Sequence, residues 1–101
     1  SENKDQKLML RDYEVMVERN MLKSKTEEIT LSNKEMGILE YLLRNSGRVV
    51  SAEEILEHVW DREVDMFSDT VKTHMKTLRK KMDPEKTIIK TIKGKGYVID
   101  A

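Results

Sequence analysis

Up to Thr30 the apolar positions come in short bursts separated by polar turns. Leu8–Leu10, Tyr13–Val17, Met21–Lys23 and Glu28–Thr30 each have strand character, and Glu18-Arg19-Asn20 and the polar run from Lys23 to Glu27 lie between them. Bursts of this length and spacing predict a small antiparallel sheet. Residues 1–6 are polar and aperiodic and read as a linker end or a cloning remnant, so the folded domain is expected over 7–101.

After Thr30 the period lengthens from strand-like to helical. Met36, Leu39, Leu42 and Leu43 form one stripe, preceded by Ser32 and Glu35 at capping-box spacing and by a staple of Leu31 with Met36. Gly37 inside this helix costs about 1 kcal/mol against alanine and permits close packing, and Gly47 offers a C-terminal stop. The pattern repeats. Ser51 and Glu54 form a second capping box, Val50 and Ile55 a second staple, and Ile55, Leu56 and Val59 a second stripe. A third helix is predicted from Ser68 or Asp69 to Met82, with Val71, Met75, Leu78 and Met82 inward and His74 at the edge. Asp83-Pro84 ends it, because proline disfavours helix in the residue before it. Thr87–Lys93 and Tyr97–Ile99 read as two strands joined by a glycine turn. The class is therefore α+β, with an N-terminal antiparallel sheet, three helices and a C-terminal hairpin.

Charge sharpens this outline. The 101 residues have zero formal net charge, and charged residues make up 38% of the chain. The balance is uneven. Residues 1–67 hold ten Lys/Arg and fifteen Asp/Glu, whereas residues 68–96 hold nine Lys/Arg and three acids, net +6. Such asymmetry points the basic part toward a polyanion. The third helix carries Lys72, Thr73, Lys76, Thr77, Arg79 and Lys80 away from its apolar stripe and no acid between Val71 and Met82. Long donors and small hydroxyls on one helix face suit a major groove, whereas a merely solvated face is usually richer in glutamate.

The turn Lys93-Gly94-Lys95-Gly96 allows two readings. A phosphate-cradling loop requires a helix directly after it, and here Tyr97-Val98-Ile99-Asp100-Ala101 follows instead. A hairpin tip presenting Lys93 and Lys95 is the better reading, either to close a sheet or to lie along a nucleic-acid groove. Catalysis finds little support. There is no cysteine, and the two histidines, His58 and His74, lie in no nucleophile or metal-ligand spacing, so no cofactor and no metal is expected. Trp60 reads as core, with a phosphate contact through its indole N–H left open. No apolar run reaches membrane-spanning length, so a soluble protein without a membrane partner is expected.

Helix one with its loop (Leu31–Ser51), helix two through His58-Val59-Trp60, helix three (Asp69–Met82) and the ending Ile88–Ile99 together resemble the winged-helix DNA-binding domain of OmpR/PhoB-class bacterial response regulators. The specific parts are His-Val-Trp, Thr-Val-x-x-His-x-x-x-Leu-Arg-x-Lys and Gly-x-Gly-Tyr, in that order. The resemblance implies a winged helix-turn-helix that binds double-stranded DNA sequence-specifically in the cytoplasm of a bacterium. Helix three (about 68–82) would read the major groove, and the wing (about 88–99) would meet the minor groove.

Carried over residue by residue, the resemblance places Trp60, Thr70, Lys72, Thr73, Lys76, Thr77, Arg79 and Lys80 on the DNA side. In the wing it adds Thr91, Lys93, Lys95 and Tyr97, with Lys93 where an arginine usually enters the minor groove. The loop Asp61, Arg62, Glu63, Val64, Asp65, Met66 and Phe67 matches the segment that can touch RNA polymerase. The implied partners are promoter direct repeats, RNA polymerase, and the receiver domain and sensor histidine kinase of a full-length protein. The domain would be a monomer alone and a tandem dimer on DNA. A protein–protein module contacting polymerase or a receiver domain is the alternative. The chain departs from the family's pattern at Lys72, commonly acidic, at Asp69, often arginine, and at Thr77, frequently arginine.

Overall fold

The computed structural model describes residues 8–60 and 68–100. Four strands come first, β1 (Leu8–Leu10), β2 (Tyr13–Met16), β3 (Met21–Lys23) and β4 (Glu28–Thr30), then α1 (Asn33–Arg44), α2 (Ala52–Val59) and α3 (Ser68–Met82), and finally β5 (Ile89–Ile92) and β6 (Gly96–Ile99). The first four strands form an antiparallel sheet in chain order, and β5 and β6 form a separate hairpin. The expected α+β winged-helix architecture is present. The residues expected as linker, 1–6, and as polymerase-contacting loop, 61–67, lie outside the described residues.

Sheet register follows from the apolar bursts. Leu8 pairs with Val15, Val15 with Leu22 and Leu22 with Ile29, so one row of aliphatic side chains crosses all four strands. This row packs with Leu10 and Leu31 on the core of the helices. A register slip of one residue would turn the whole row to solvent. Strand β2 ends one residue earlier than expected, because Val17 begins a 3-10 turn, Val17–Arg19, closed by Asn20 at φ 53.

Helix α1 begins at the predicted capping box. The Ser32 hydroxyl accepts from the Glu35 amide at 3.1 Å, and the Glu35 carboxylate accepts from the Ser32 amide at 2.8 Å. Its end differs from expectation. Asn45, not Gly47, caps the helix, since the Asn45 side-chain amide donates to the Tyr41 carbonyl at 2.7 Å. The second capping box is also only half formed. The Ser51 hydroxyl accepts from the Glu54 amide at 3.1 Å, but the Glu54 carboxylate takes Arg48 at 2.6 Å and the Tyr41 hydroxyl instead. A guanidinium and a phenol outcompete one backbone amide for a carboxylate. Together they hold the Glu54 carboxyl at about 2, Arg48 contributing most.

Helix α1 packs against α2, α3 and β6. Gly37 allows the α1–α2 approach, since a Cβ there would sit 2.9 Å from Val59 Cγ1. The hairpin is fastened to the helices by backbone. Val50 and Tyr97 exchange hydrogen bonds at 2.7 and 2.8 Å, and the Gly47 amide donates to the Ile99 carbonyl. Arg11, in the β1–β2 turn, donates to the carbonyls of Thr87 and Asp100, which ties the N-terminal sheet to the end of the chain.

Candidate nucleic-acid interface

Helix α3 turns Val71, Met75, Leu78 and Met82 inward, all nearly fully buried. That fixes what faces outward. Lys72, Lys76 and Lys80 recur every four residues, all exposed, and line the cleft of about 470 Å³ between α3 and the hairpin. Arg79 and Lys86 complete its rim, over a floor of Met75, Pro84 and Tyr97. A second cleft, about 260 Å³, runs between the hairpin tip and the start of α2. It shares Lys72 and adds Lys95, with Glu53 on its α2 wall. Among the described residues Lys72, Lys76, Lys80, Lys86, Lys93 and Lys95 form no ion pair, although Lys81 and Lys90 do.

Two carboxylates hold α3 in place. Glu35, 3% exposed, receives the Lys81 ammonium at 2.7 Å and the Thr77 hydroxyl as well as the Ser32 amide. Burial opposes its charged form, but Lys81, the amide and the hydroxyl outweigh it, and the carboxyl is lowered to about 2. Asp83, equally buried, ends α3 and accepts from the backbone amides of Thr87, Ile88 and Ile89 at 2.8–3.0 Å. This explains why β5 begins at Ile89 and not at Thr87, since the earlier amides are spent on the carboxylate.

The family described as "Transcriptional regulatory protein, C terminal" matches residues 26–99. The chain belongs to this family. It is 44% identical over 73 residues to the transcriptional regulatory protein CutR of Streptomyces coelicolor, covering 72% of this chain and 33% of that protein. Among solved structures, the C-terminal domain of the nisin resistance regulator NsrR superposes with a TM-score of 0.80 at 33% identity, covering 93% of this chain and 96% of that one. Response regulator DrrB of Thermotoga maritima, an OmpR/PhoB homolog, gives a TM-score of 0.74 at 34% identity over 89% of this chain and 42% of that one. The chain thus spans about a third of the length of the curated relatives it matches. It is a winged-helix DNA-binding domain of the OmpR/PhoB response-regulator class.

In this winged helix, α3 is the recognition helix and β5–β6 the wing. The residues expected on the DNA side fall into two groups. Lys72, Lys76, Lys80 and Lys95 line the clefts, Lys93 is exposed at the hairpin tip, and Thr73, also exposed, stands apart from both clefts. The others are engaged within the domain. Trp60, 7% exposed, belongs to the core, with the His74 ring edge-on at 5.2 Å and the Lys34 ammonium over it. Thr70 is half-buried, and its carbonyl accepts from His74 Nδ1 at 2.9 Å. The Thr77 hydroxyl turns to Glu35. Arg79 Nη2 donates to the Ile89 carbonyl at 2.8 Å and to Thr91 Oγ1 at 2.7 Å. Tyr97, also 7% exposed, lies under the Arg79 guanidinium.

Sequence reasoning missed Lys86 and the tertiary roles of Glu35 and Asp83. The capping spacing at Glu35 and the Asp-Pro pair gave local signals only. Nothing local says that Lys81 and Thr77, more than forty residues on, share the Glu35 carboxylate.

Proposed function

We propose that α3 lies in the major groove of duplex DNA, with Thr73 and Lys76 reading base edges, while the wing brings Lys93 to the minor groove. Lys72, Lys80, Lys86 and Lys95 then hold phosphates on either side of the α3–wing cleft. The observation that carries this reading is the row Lys72–Lys76–Lys80 without ion-pair partners among the described residues. Like charges four residues apart destabilise a helix by about 0.2–0.5 kcal/mol per pair, and an anion laid along the row relieves that repulsion. Phosphate contacts set register, and the few base contacts set sequence preference. The role is binding without catalysis, in the cytoplasm, as the output end of a longer regulator. A receiver domain, its sensor kinase and RNA polymerase are the partners that such a role requires.

Binding to duplex DNA across ionic strengths tests the reading. With roughly five to eight phosphates held per domain, log affinity should fall against log salt with a slope of about −4 to −7. No binding at low salt would leave a protein-docking module in its place. Within the same assay, Lys76→Ala or Thr73→Ala should lower the cognate-to-random affinity ratio by about 1–3 kcal/mol, the worth of a good base contact. Lys86→Ala should weaken both DNAs alike and flatten the salt slope by about one.

A further inference from the structure

The end of α3 grips one wing residue from both sides. Asp83 Oδ2 accepts from the Ile89 amide at 2.8 Å, and Arg79, one turn earlier, donates to the Ile89 carbonyl at 2.8 Å. The same Arg79 nitrogen reaches Thr91 Oγ1 at 2.7 Å, two residues further along β5. Its guanidinium lies 5.6 Å from the ring centroid of Tyr97, which pairs with Thr91 across the hairpin. We infer that Arg79 is a positioning residue, a latch that fixes the angle between the recognition helix and the wing, and that it acts on DNA through Lys93 rather than by its own phosphate contact. This rests on the DNA-binding reading above.

Three features separate a latch from a contact. To turn Nη2 toward a phosphate, the guanidinium would have to give up a backbone carbonyl and a hydroxyl and shift on the Tyr97 face. Its Nε is buried and makes no hydrogen bond among the described residues, so the group faces inward over much of its surface. The leverage is also favourable. Lys93 lies four residues beyond Ile89, roughly 13 Å at about 3.3 Å per residue. A tilt of roughly 10° at the base therefore moves the tip by about 2 Å, well beyond the roughly 0.5 Å tolerance of a productive contact.

Arg79→Lys separates the two roles, because lysine keeps the charge and loses the planar fork. Arg79→Met keeps the aliphatic stem over Tyr97 and loses the hydrogen bonds. In titrations of cognate duplex, both variants should bind about tenfold more weakly than the parent. Lys93→Ala, costly in the parent, should add less than twofold on the Arg79→Met background, since a displaced wing tip has little left to lose. In the free proteins, Arg79→Met and Arg79→Lys should raise amide exchange in β5–β6 about fivefold or more while Val71–Leu78 of α3 stay unchanged. Arg79→Lys binding like the parent, independent costs for Arg79→Met and Lys93→Ala, or unchanged exchange in the wing would each overturn the latch. If the parent itself binds no duplex at low salt, the DNA reading falls, and the exchange measurement still decides whether Arg79 holds the wing.

Discussion

Glu35 links the start of α1 to the recognition helix through one carboxylate. It caps its own helix locally, and Lys81 and the Thr77 hydroxyl bring α3 onto the same oxygens. Because its carboxyl is lowered from 4.5 to about 2 in the folded domain, the unfolded chain binds the proton first as pH falls. The stabilisation is therefore fully present above about pH 4.5 and is lost as pH falls toward about 2, and its size is on the order of 2–3 kcal/mol. Glu35→Gln removes it. Urea melts of parent and variant should differ at pH 7 by an amount that shrinks below pH 4.5 and nearly vanishes near pH 2. A gap independent of pH would mean that the residue contributes by packing alone. The lysines lining the clefts differ, since Lys72, Lys76, Lys80, Lys86 and Lys95 form no ion pair among the described residues.

Among the elements, the wing depends on geometry that only part of the sequence announces. Gly94 and Gly96 have φ of 75 and 147, as the spacing of a glycine turn implies, yet they are not equivalent. A Cβ at Gly94 meets nothing, whereas at Gly96 it would lie 2.1 Å from the Val50 carbonyl oxygen and 2.8 Å from Ser51 Cα. Gly94→Ala should cost about 1 kcal/mol, the strain of a positive φ. Gly96→Ala should cost more than about 2 kcal/mol, because the Val50–Tyr97 pair that fastens the wing must separate. Thermal melts of the two variants check the order. An equal loss would show that backbone strain alone matters. The contrast also marks what was legible. Strands, helices and the turn follow from period, capping spacing and glycine, because these are local. The start of β5 does not, since it waits on Asp83 taking three amides, and neither does the inward turn of Arg79, since it depends on a hairpin that closes ten residues later. The family pattern does not show that Arg79 and Thr77 also hold internal hydrogen bonds or that the Tyr97 ring lies under the Arg79 guanidinium; the packed domain does.

At the scale of the whole molecule, net neutrality conceals a separation of charge. The chain up to Phe67 carries net −5, and residues 68–96 carry +6. DNA therefore meets a basic cleft while the remainder of the chain is acidic, which favours one orientation of approach and limits non-specific coating of the duplex. The same separation bears on assembly. Among the described residues the large apolar side chains left exposed are Met9, 48% exposed on β1, and Val49, 39% exposed before α2. Two isolated side chains fall far short of the apolar core of an obligate dimer interface. The domain should therefore sediment as a monomer at micromolar concentration. On a duplex with two half-sites in direct repeat, a second copy should bind about three- to tenfold more tightly than the first if head-to-tail packing sets the basic stretch 68–96 of one copy against the acidic part of the next. This gain should shrink as salt screens the charges. Titration of one-site and two-site duplexes at two ionic strengths measures it directly. A tight dimer without DNA, or a cooperativity that salt leaves unchanged, would require an apolar contact surface that Met9 and Val49 do not supply.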